Sequence, residues 1–267
     1  AMEVEEYLSY LESYTKDGKL YTNREEGKAR KLSSLKSFYD YYFKKNLIRT
    51  NPPRQVDVPK IKNKNIIRLD PNEIAQLLDE AESGEKLSGR QLASHEKTKV
   101  RDVAILTLLL GTGIRVSECV GLNLEDVDFN NGAIRIIRKG GNEALIYFGD
   151  EVSQALEAYM NGPRKAAEPA AGHEEALFIS LNKTRITTRS VERLVKKYSR
   201  LVTTVKKITP HKLRSTFGTA LYQETGDIYL VADTLGHKDV NTTKKHYAAI
   251  DEHRRRMAAN VVKLRES

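Results

Sequence analysis

His211 and Arg214 stand three residues apart, Leu235-Gly236-His237 follows, and His246-Tyr247 closes the stretch. Residues at i and i+3 share one face of a helix, so His211 and Arg214 can grip a single ligand. Pro210 fixes the chain just before them, and Thr209 can cap the helix start. Backbone N–H groups and the helix dipole already favour an anion at such a start, so a histidine and an arginine placed there suit a phosphate. Gly236 ends one helix, and Asn241-Thr242-Thr243 can cap the next, which carries Tyr247 towards the same place. The grouping reads as a phosphate clamp with a tyrosine aimed at it.

A second block lies upstream, Gly111-Thr112-Gly113-Ile114-Arg115-Val116-Ser117-Glu118, followed by Gly121-Leu122. Two glycines permit a tight turn, from which Arg115 begins a short helix. An arginine there can point into a cleft and hold phosphate oxygens bidentately, or it can pair with Glu118 or Glu125. Taken together and in this order, the two blocks resemble the tyrosine recombinase (phage-integrase-like) family, over nearly the whole chain. The resemblance implies a mainly α fold with a small antiparallel β-sheet (α+β), in which a helical core-binding domain precedes a larger catalytic domain. It also implies catalytic roles for Arg115, Lys139, His211, Arg214, His237 and the nucleophile Tyr247. Lys139 matches the family's hairpin lysine, with Arg138 the less favoured neighbour.

The chemistry fits those residue types. A phenol with a pKa of about 10 is ionised in roughly one molecule in a thousand at neutral pH. Cationic donors around the phosphate stabilise developing charge and favour the phenolate. On the family pattern Arg115 and Arg214 hold the non-bridging oxygens, while His211 and His237 add hydrogen bonds and help move protons. Lys139 protonates the departing 5′-oxygen, a role that suits a lysine better than an arginine. Tyr247 becomes joined to a DNA 3′-phosphate, and because the bond energy is kept, no ATP is required. No cofactor and no metal are expected: the sequence has no GxxxxGK[ST] loop and no carboxylate cluster suited to paired metals.

The elements that must position these groups follow from periodicity. Residues 3–14 read as a helix through Val4, Tyr7, Leu8 and Leu11, broken by Asp17-Gly18-Lys19. The next helix, capped by Thr22 or Asn23, is expected to bury Ala29, Leu32, Leu35, Phe38, Tyr39 and Tyr42. Its Lys28, Arg30, Lys31 and Lys36 can track a DNA backbone or form a solvated face. Residues 1–52 thus form the expected core-binding domain. The family's first helix of that domain is missing, and the chain is expected to lack an N-terminal portion, Ala1-Met2 being a remnant of cloning. The Pro-punctuated, Lys-rich residues 53–68 read as an interdomain linker, and 69–267 as the catalytic domain.

Within that second domain a helix starts at Leu69-Asp70-Pro71, and 82–98 is expected as an exposed loop or short surface helix with a surface His95. Residues 101–110 form an apolar core helix. Residues 133–138 and 144–148 pair as a hairpin around Lys139-Gly140-Gly141-Asn142. A helix spans 150–160, and 161–175 is a surface loop in which His173 is idle. The amphipathic stretch 188–202 shows Arg189, Arg193, Lys196, Lys197 and Arg200, able to enter a groove or line the backbone. Tyr222 and Tyr229 read as packing residues, and His246 as facing away from the nucleophile. Residues 251–265 carry an apolar stripe, Met257, Val261, Val262 and Leu264, which docks on its own domain or, as in relatives of this family, on a neighbouring protomer.

The 267 residues carry a formal charge of +9, with a sequence pI near 9.4. That balance fits a nucleic-acid partner, though a basic soluble enzyme fits it as well. One cysteine, Cys119, excludes a disulfide framework and a cysteine-based zinc site. No apolar run reaches membrane-spanning length and no signal peptide is recognisable, so a cytoplasmic setting is expected. The expected partners are double-stranded DNA and further copies of the chain, a tetramer assembled with residues 251–267. The expected activity is site-specific recombination, with integration and excision of a mobile element as the event. The alternatives are a DNA-binding relative that does not cut, and a type IB topoisomerase that reseals the same strand. The 82–98 loop and the missing N-terminal portion would fit a mobile-element integrase that normally carries an extra arm-type DNA-binding domain.

Overall fold

A computed structural model describes residues 1–61, 67–138, 140–237 and 240. The chain divides into two compact units, Ala1–Lys64 and Asn65–Ser267.

In the first unit, helix α1 (Met2–Tyr10) leads into an antiparallel hairpin of β1 (Ser13–Lys16) and β2 (Lys19–Thr22). The expected helix over 3–14 therefore stops early. Asp17 (φ 50°) and Gly18 (φ 71°) form the two-residue turn between strands, the left-handed pair that an Asp-Gly hairpin requires. Helix α2 (Glu25–Lys44) is capped by Arg24 rather than Thr22 or Asn23. Asn23 is occupied elsewhere, its amide donating to Leu11 O at 2.8 Å and its carbonyl accepting from Lys31.

Only part of the expected apolar face of α2 is covered. Ala29 and Leu32 are buried with Leu8, Leu11 and Val56, whereas Leu35, Tyr39 and Tyr42 are half-buried and Phe38 is exposed. Lys28 departs furthest from its expected place. It is buried, and its ammonium pairs with Glu12 at 2.6 Å and Glu25 at 2.8 Å, so both carboxylates hold its pKa above the ordinary lysine value. Pro52–Gln55 forms a 3-10 turn on α2 and Val56 joins this core, so the first unit reaches into the stretch expected as linker.

The second unit is mainly helical with one small antiparallel sheet, the class the resemblance implies. Helix α3 (Pro71–Ser83) starts at an Asp70 capping box, in which Asp70 and Glu73 each accept from the other's backbone N–H. Leu69, just before it, is buried and donates its N–H to Thr216 Oγ1 at 3.0 Å. Helix α4 (Gly89–His95) follows, then α5 (Lys99–Thr112). Ala104, Ile105, Leu106, Leu108 and Leu109 leave α5 apolar on nearly every side, and a helix of that kind belongs in a core. It packs against α3 and elements introduced below.

Helix α6 (Val116–Gly121) leads to the strands β3 (Val127–Asp128), β4 (Ala133–Ile137) and β5 (Glu143–Tyr147), ordered β3-β4-β5 and all antiparallel. Helix α7 (Asp150–Tyr159) covers α5 and continues as a wider turn, Met160–Arg164. Arg164 there is buried, donating to Ala176 O and Glu174 O, which ties the 161–175 loop down. Helices α8 (Thr188–Val202), α9 (Pro210–Thr225) and α10 (Ile228–Leu235) complete the described part. Tyr222 is buried between α9 and α10 as expected, but Tyr229 is 71% exposed.

His95 is the second clear departure: it is fully buried, not on the surface. Residues 84–98 fold back over Gly84, whose left-handed φ of 69° ends α3, and the imidazole packs there. The Tyr198 hydroxyl donates to Asp102 Oδ2 at 3.1 Å, and His95 Nδ1 lies in hydrogen-bond contact with the same hydroxyl at 3.0 Å. Lys197 donates to the same oxygen at 3.0 Å. Burial first, and the Lys197 charge second, hold the pKa of His95 below its ordinary 6.5, while a hydrogen bond to the Glu82 backbone and the charges of Glu96 and Asp102 oppose the shift.

The neutral imidazole is thus built into the fold, and the unfolded chain binds the extra proton. Stability is full above pH 6.5 and falls as pH drops from there through the lowered value. Thermal denaturation is expected to show a loss in Tm between pH 7 and 5.5 that His95→Gln largely removes. An equal loss in the variant would show that other groups set it. Carboxylates held low, such as Asp70, Glu96 and Asp128, titrate below this window.

Candidate active site

Helix α9 begins with Pro210 at its first position, after Thr209 in extended conformation. Thr209 occupies the cap position, but its side chain makes no capping bond. His211 is exposed on the first turn, and Arg214, one turn on, is buried. Arg214 Nη1 donates to Gly113 O at 2.6 Å and its Nη2 to Leu235 O. One guanidinium thereby joins the end of α5 to the end of α10.

Gly113 ends α5 at φ 64°, and its N–H closes on Leu109 O. The chain then turns through Ile114 to Arg115, which occupies the N-cap of α6. Of the two readings of Arg115, the pairing with Glu118 is realised. Glu118, buried, accepts from the Arg115 backbone N–H and from Nη1, each at 2.7 Å. Arg115 Nη2 reaches across 121 positions of sequence to Gly236 O at 3.1 Å. A guanidinium carries five N–H donors, and the Arg115 side chain is 38% exposed, so these bonds orient it without exhausting it.

Arg138 arrives from the end of β4. Its Nη2 donates to Thr234 O at 3.1 Å, and its guanidinium fills the space beside the Cα of Gly236. Arg115, Arg138 and Arg214 therefore converge on the carbonyls of residues 234–236. These are the unpaired acceptors at the negative end of α10, where cations are favoured. Gly236, at φ 61°, reverses the chain, and the His237 N–H returns to Ala232 O at 2.9 Å. The imidazole of His237 is half-buried directly beyond this cluster.

Arg115, Arg214 and His237 are thus brought to one place, with His211 on the same helix as Arg214. Lys139 and Tyr247 lie outside the described residues, as do Asn241–Thr243, His246 and the stretch 251–267. The role of Arg138 as a clasp on α10 was not legible in the sequence, because nothing local pairs it with a helix end nearly a hundred residues away.

Of the basic residues expected to meet DNA, Arg189, Arg193 and Lys196 are exposed on α8, and Arg30 is exposed on α2. Lys31 and Lys36 are half-buried, and Lys31 bonds to Asn23. Lys197 is turned inward, its ammonium 4.4 Å from the Tyr198 ring centroid, and burial lowers its pKa. Lys28 and Lys197 are thus structural cations. Cys119 is fully buried and its pKa is pushed up to about 12, so it is no nucleophile near neutral pH. Among the described residues, no helix is long and apolar enough to cross a membrane.

The pattern of the phage integrase family matches residues 67–254. The chain belongs to that family and is a tyrosine-recombinase-type enzyme. It is 37% identical over 218 residues to tyrosine recombinase XerC of Thermodesulfovibrio yellowstonii (strain ATCC 51303 / DSM 11347 / YP87), covering 81% of this chain and 69% of that protein. In fold it is similar to the XerH site-specific recombinase bound to a palindromic difH substrate in a post-cleavage complex. That likeness has a TM-score of 0.74 at 21% identity, over 97% of this chain and 71% of the other. It is also similar to the Tn1549 transposon integrase in complex with circular intermediate DNA, with a TM-score of 0.69 at 24% identity, over 96% and 84% of the two chains.

Proposed function

We propose that this protein cleaves and rejoins double-stranded DNA at specific sites through a covalent 3′-phosphotyrosine at Tyr247. The observation that carries the reading is the convergence of Arg115 and Arg214 on the end of α10, beside His237, in a chain of the phage integrase family. In this reading the two guanidiniums bind the non-bridging oxygens of the scissile phosphate, where charge grows in the transition state. His211 and His237 hydrogen-bond the same group and assist proton transfer. Tyr247 attacks phosphorus, the P–O5′ bond breaks, and Lys139 delivers the proton to the leaving 5′-oxygen. A second 5′-hydroxyl then displaces the tyrosine and restores the phosphodiester.

Strand exchange requires more than one active site, so the reading includes a tetramer on two duplexes, with residues 251–267 docked on a neighbouring protomer. We assign the natural event to integration and excision of a mobile element. The segment 82–98 between α3 and α5 is the feature that fits that assignment, and the buried His95 ties it to the core.

The test uses a nicked duplex bearing the element's end, which traps the covalent intermediate. On a denaturing gel the parent chain is expected to give a slower protein–DNA band, and Tyr247→Phe none. Joined products whose yield rises steeply with protein concentration would mark a recombinase, whereas resealing of the original strand by single protomers would mark a topoisomerase. Retention of DNA on a native gel, with no covalent band at a verified site, would replace the proposal with DNA binding alone.

A further inference from the structure

The β1–β2 hairpin has no part in the site described above, yet it is built with care. Almost none of its surface is buried: Tyr14 is half-covered, and every other residue from Ser13 to Thr22 is exposed. A lone two-stranded hairpin is marginal in water, so something else must hold this one. Three tyrosines provide part of the answer. Tyr10, at the end of α1, stacks on Tyr14 at 5.1 Å between centroids, and Tyr14 stacks on Tyr21 across the strands at 5.4 Å.

The base is fastened as well. Asn23 bonds Leu11 O, its backbone N–H meets Glu12 O at 3.3 Å, and the buried Lys28 binds Glu12. The result is a stiff ribbon projecting from a small core.

The pairing fixes what each face carries. Tyr14 is opposite Tyr21 and Lys16 is opposite Lys19, while Thr15 faces Leu20 and Ser13 faces Thr22. Directly opposed residues share a face and successive residues alternate. One face therefore presents Tyr14, Tyr21, Lys16 and Lys19, and the other presents Ser13, Thr15, Leu20 and Thr22. Like charges set directly opposite on two strands repel, and the turn's Asp17 offsets only one of the two ammonium charges of Lys16 and Lys19, which leaves the tip positive.

We propose that the ribbon is a DNA-contacting arm, its Tyr/Lys face lying on the phosphodiester backbone of a duplex. This rests on the reading of the protein as a DNA recombinase. Ammonium and phenol groups are standard donors to phosphate oxygens, and a two-stranded ribbon is narrow enough to follow a groove. The charge on the tip and the stacked phenols beside it suit DNA better than another protein surface.

The test measures affinity of the full chain for a duplex of arbitrary sequence across a range of salt concentrations. Each phosphate contact contributes about 0.9 to the slope of log K against log salt. The double variant Lys16→Ala/Lys19→Ala is expected to lower that slope by about 1.8 and to weaken binding, with Tm unchanged. Lys165→Ala/Lys183→Ala removes the same charge from exposed positions in the second unit and serves as the comparison.

As a check independent of any substitution, Lys16 and Lys19 in the parent chain are expected to resist amine acetylation when DNA is bound. An unchanged slope with both lysines still reactive on DNA would overturn the arm while leaving the recombinase reading intact. Failure of the parent chain to bind any duplex would overturn both. Self-association of the parent abolished by Leu20→Asp, with the DNA slope unaffected, would assign the ribbon to a second copy instead.

Discussion

Arg214→Lys is expected to slow formation of the covalent intermediate by about 100- to 1000-fold, the range found when a preorganised donor to a developing anion is removed. Charge is kept, but geometry is not. The guanidinium fork spans Gly113 O and Leu235 O together, and an ammonium offers only a compact point charge to either. One buried carbonyl is left unpaired, which costs about 1–3 kcal/mol of folding stability. Both losses are measurable, in single-turnover cleavage of a trapping duplex and in thermal denaturation. A variant that is less stable yet cleaves at the parental rate would make Arg214 a strut between α5 and α10 and remove it from the proposed chemistry.

Gly113→Ala should be the most damaging single methyl in the described part of the protein. The residue sits at φ 64°, a conformation that costs a side chain about 1–2 kcal/mol. A Cβ there would also overlap the Phe217 ring and lie 3.0 Å from Leu235 Cδ2, and forcing an atom into packed space costs about 1–3 kcal/mol more. The sum is on the order of 2–5 kcal/mol, or roughly 5–20 °C in Tm for a chain of this size. Gly172→Ala supplies the comparison. Its φ is 81°, but open space surrounds it, so it carries the conformational term alone. Equal Tm losses in the two variants would refute the packing argument. Activity should fall with stability at position 113, because the carbonyl held by Arg214 belongs to this residue.

What could be read in the sequence was whatever is coded locally. The α5 core helix announces itself in an apolar run, and the Asp70 capping box, the Gly113 and Gly236 helix ends and the β4–β5 hairpin each lie within a few residues. The positions of Arg115, His211, Arg214 and His237 came from two short blocks, and the fold brings Arg115 and Arg214 to a common helix end beside His237. The failures share a cause, which is dependence on distant partners. His95 is buried against Tyr198, 103 positions away, and Lys28 is drawn in by Glu12, 16 positions away, because its i,i+3 partner Glu25 alone would fit an exposed face equally well. The β1–β2 hairpin escaped notice because a strand exposed on both faces has no apolar alternation to reveal it. Arg138 lacked a signal for the first reason.

The acceptors that gather the three arginines are all main-chain carbonyls. No replacement of a side chain deletes a carbonyl, so Asp233 and Thr234 are free to drift in identity while the arginines keep their anchorage, and Leu235, buried in the α9–α10 core, need only stay apolar. The arrangement is most vulnerable where the backbone path itself depends on residue type, at Gly113 and Gly236. A library of variants across 233–236 selected for strand joining should therefore tolerate varied side chains at 233 and 234, keep position 235 apolar and retain glycine at 236, a signature of information stored in the course of the chain and not in its functional groups.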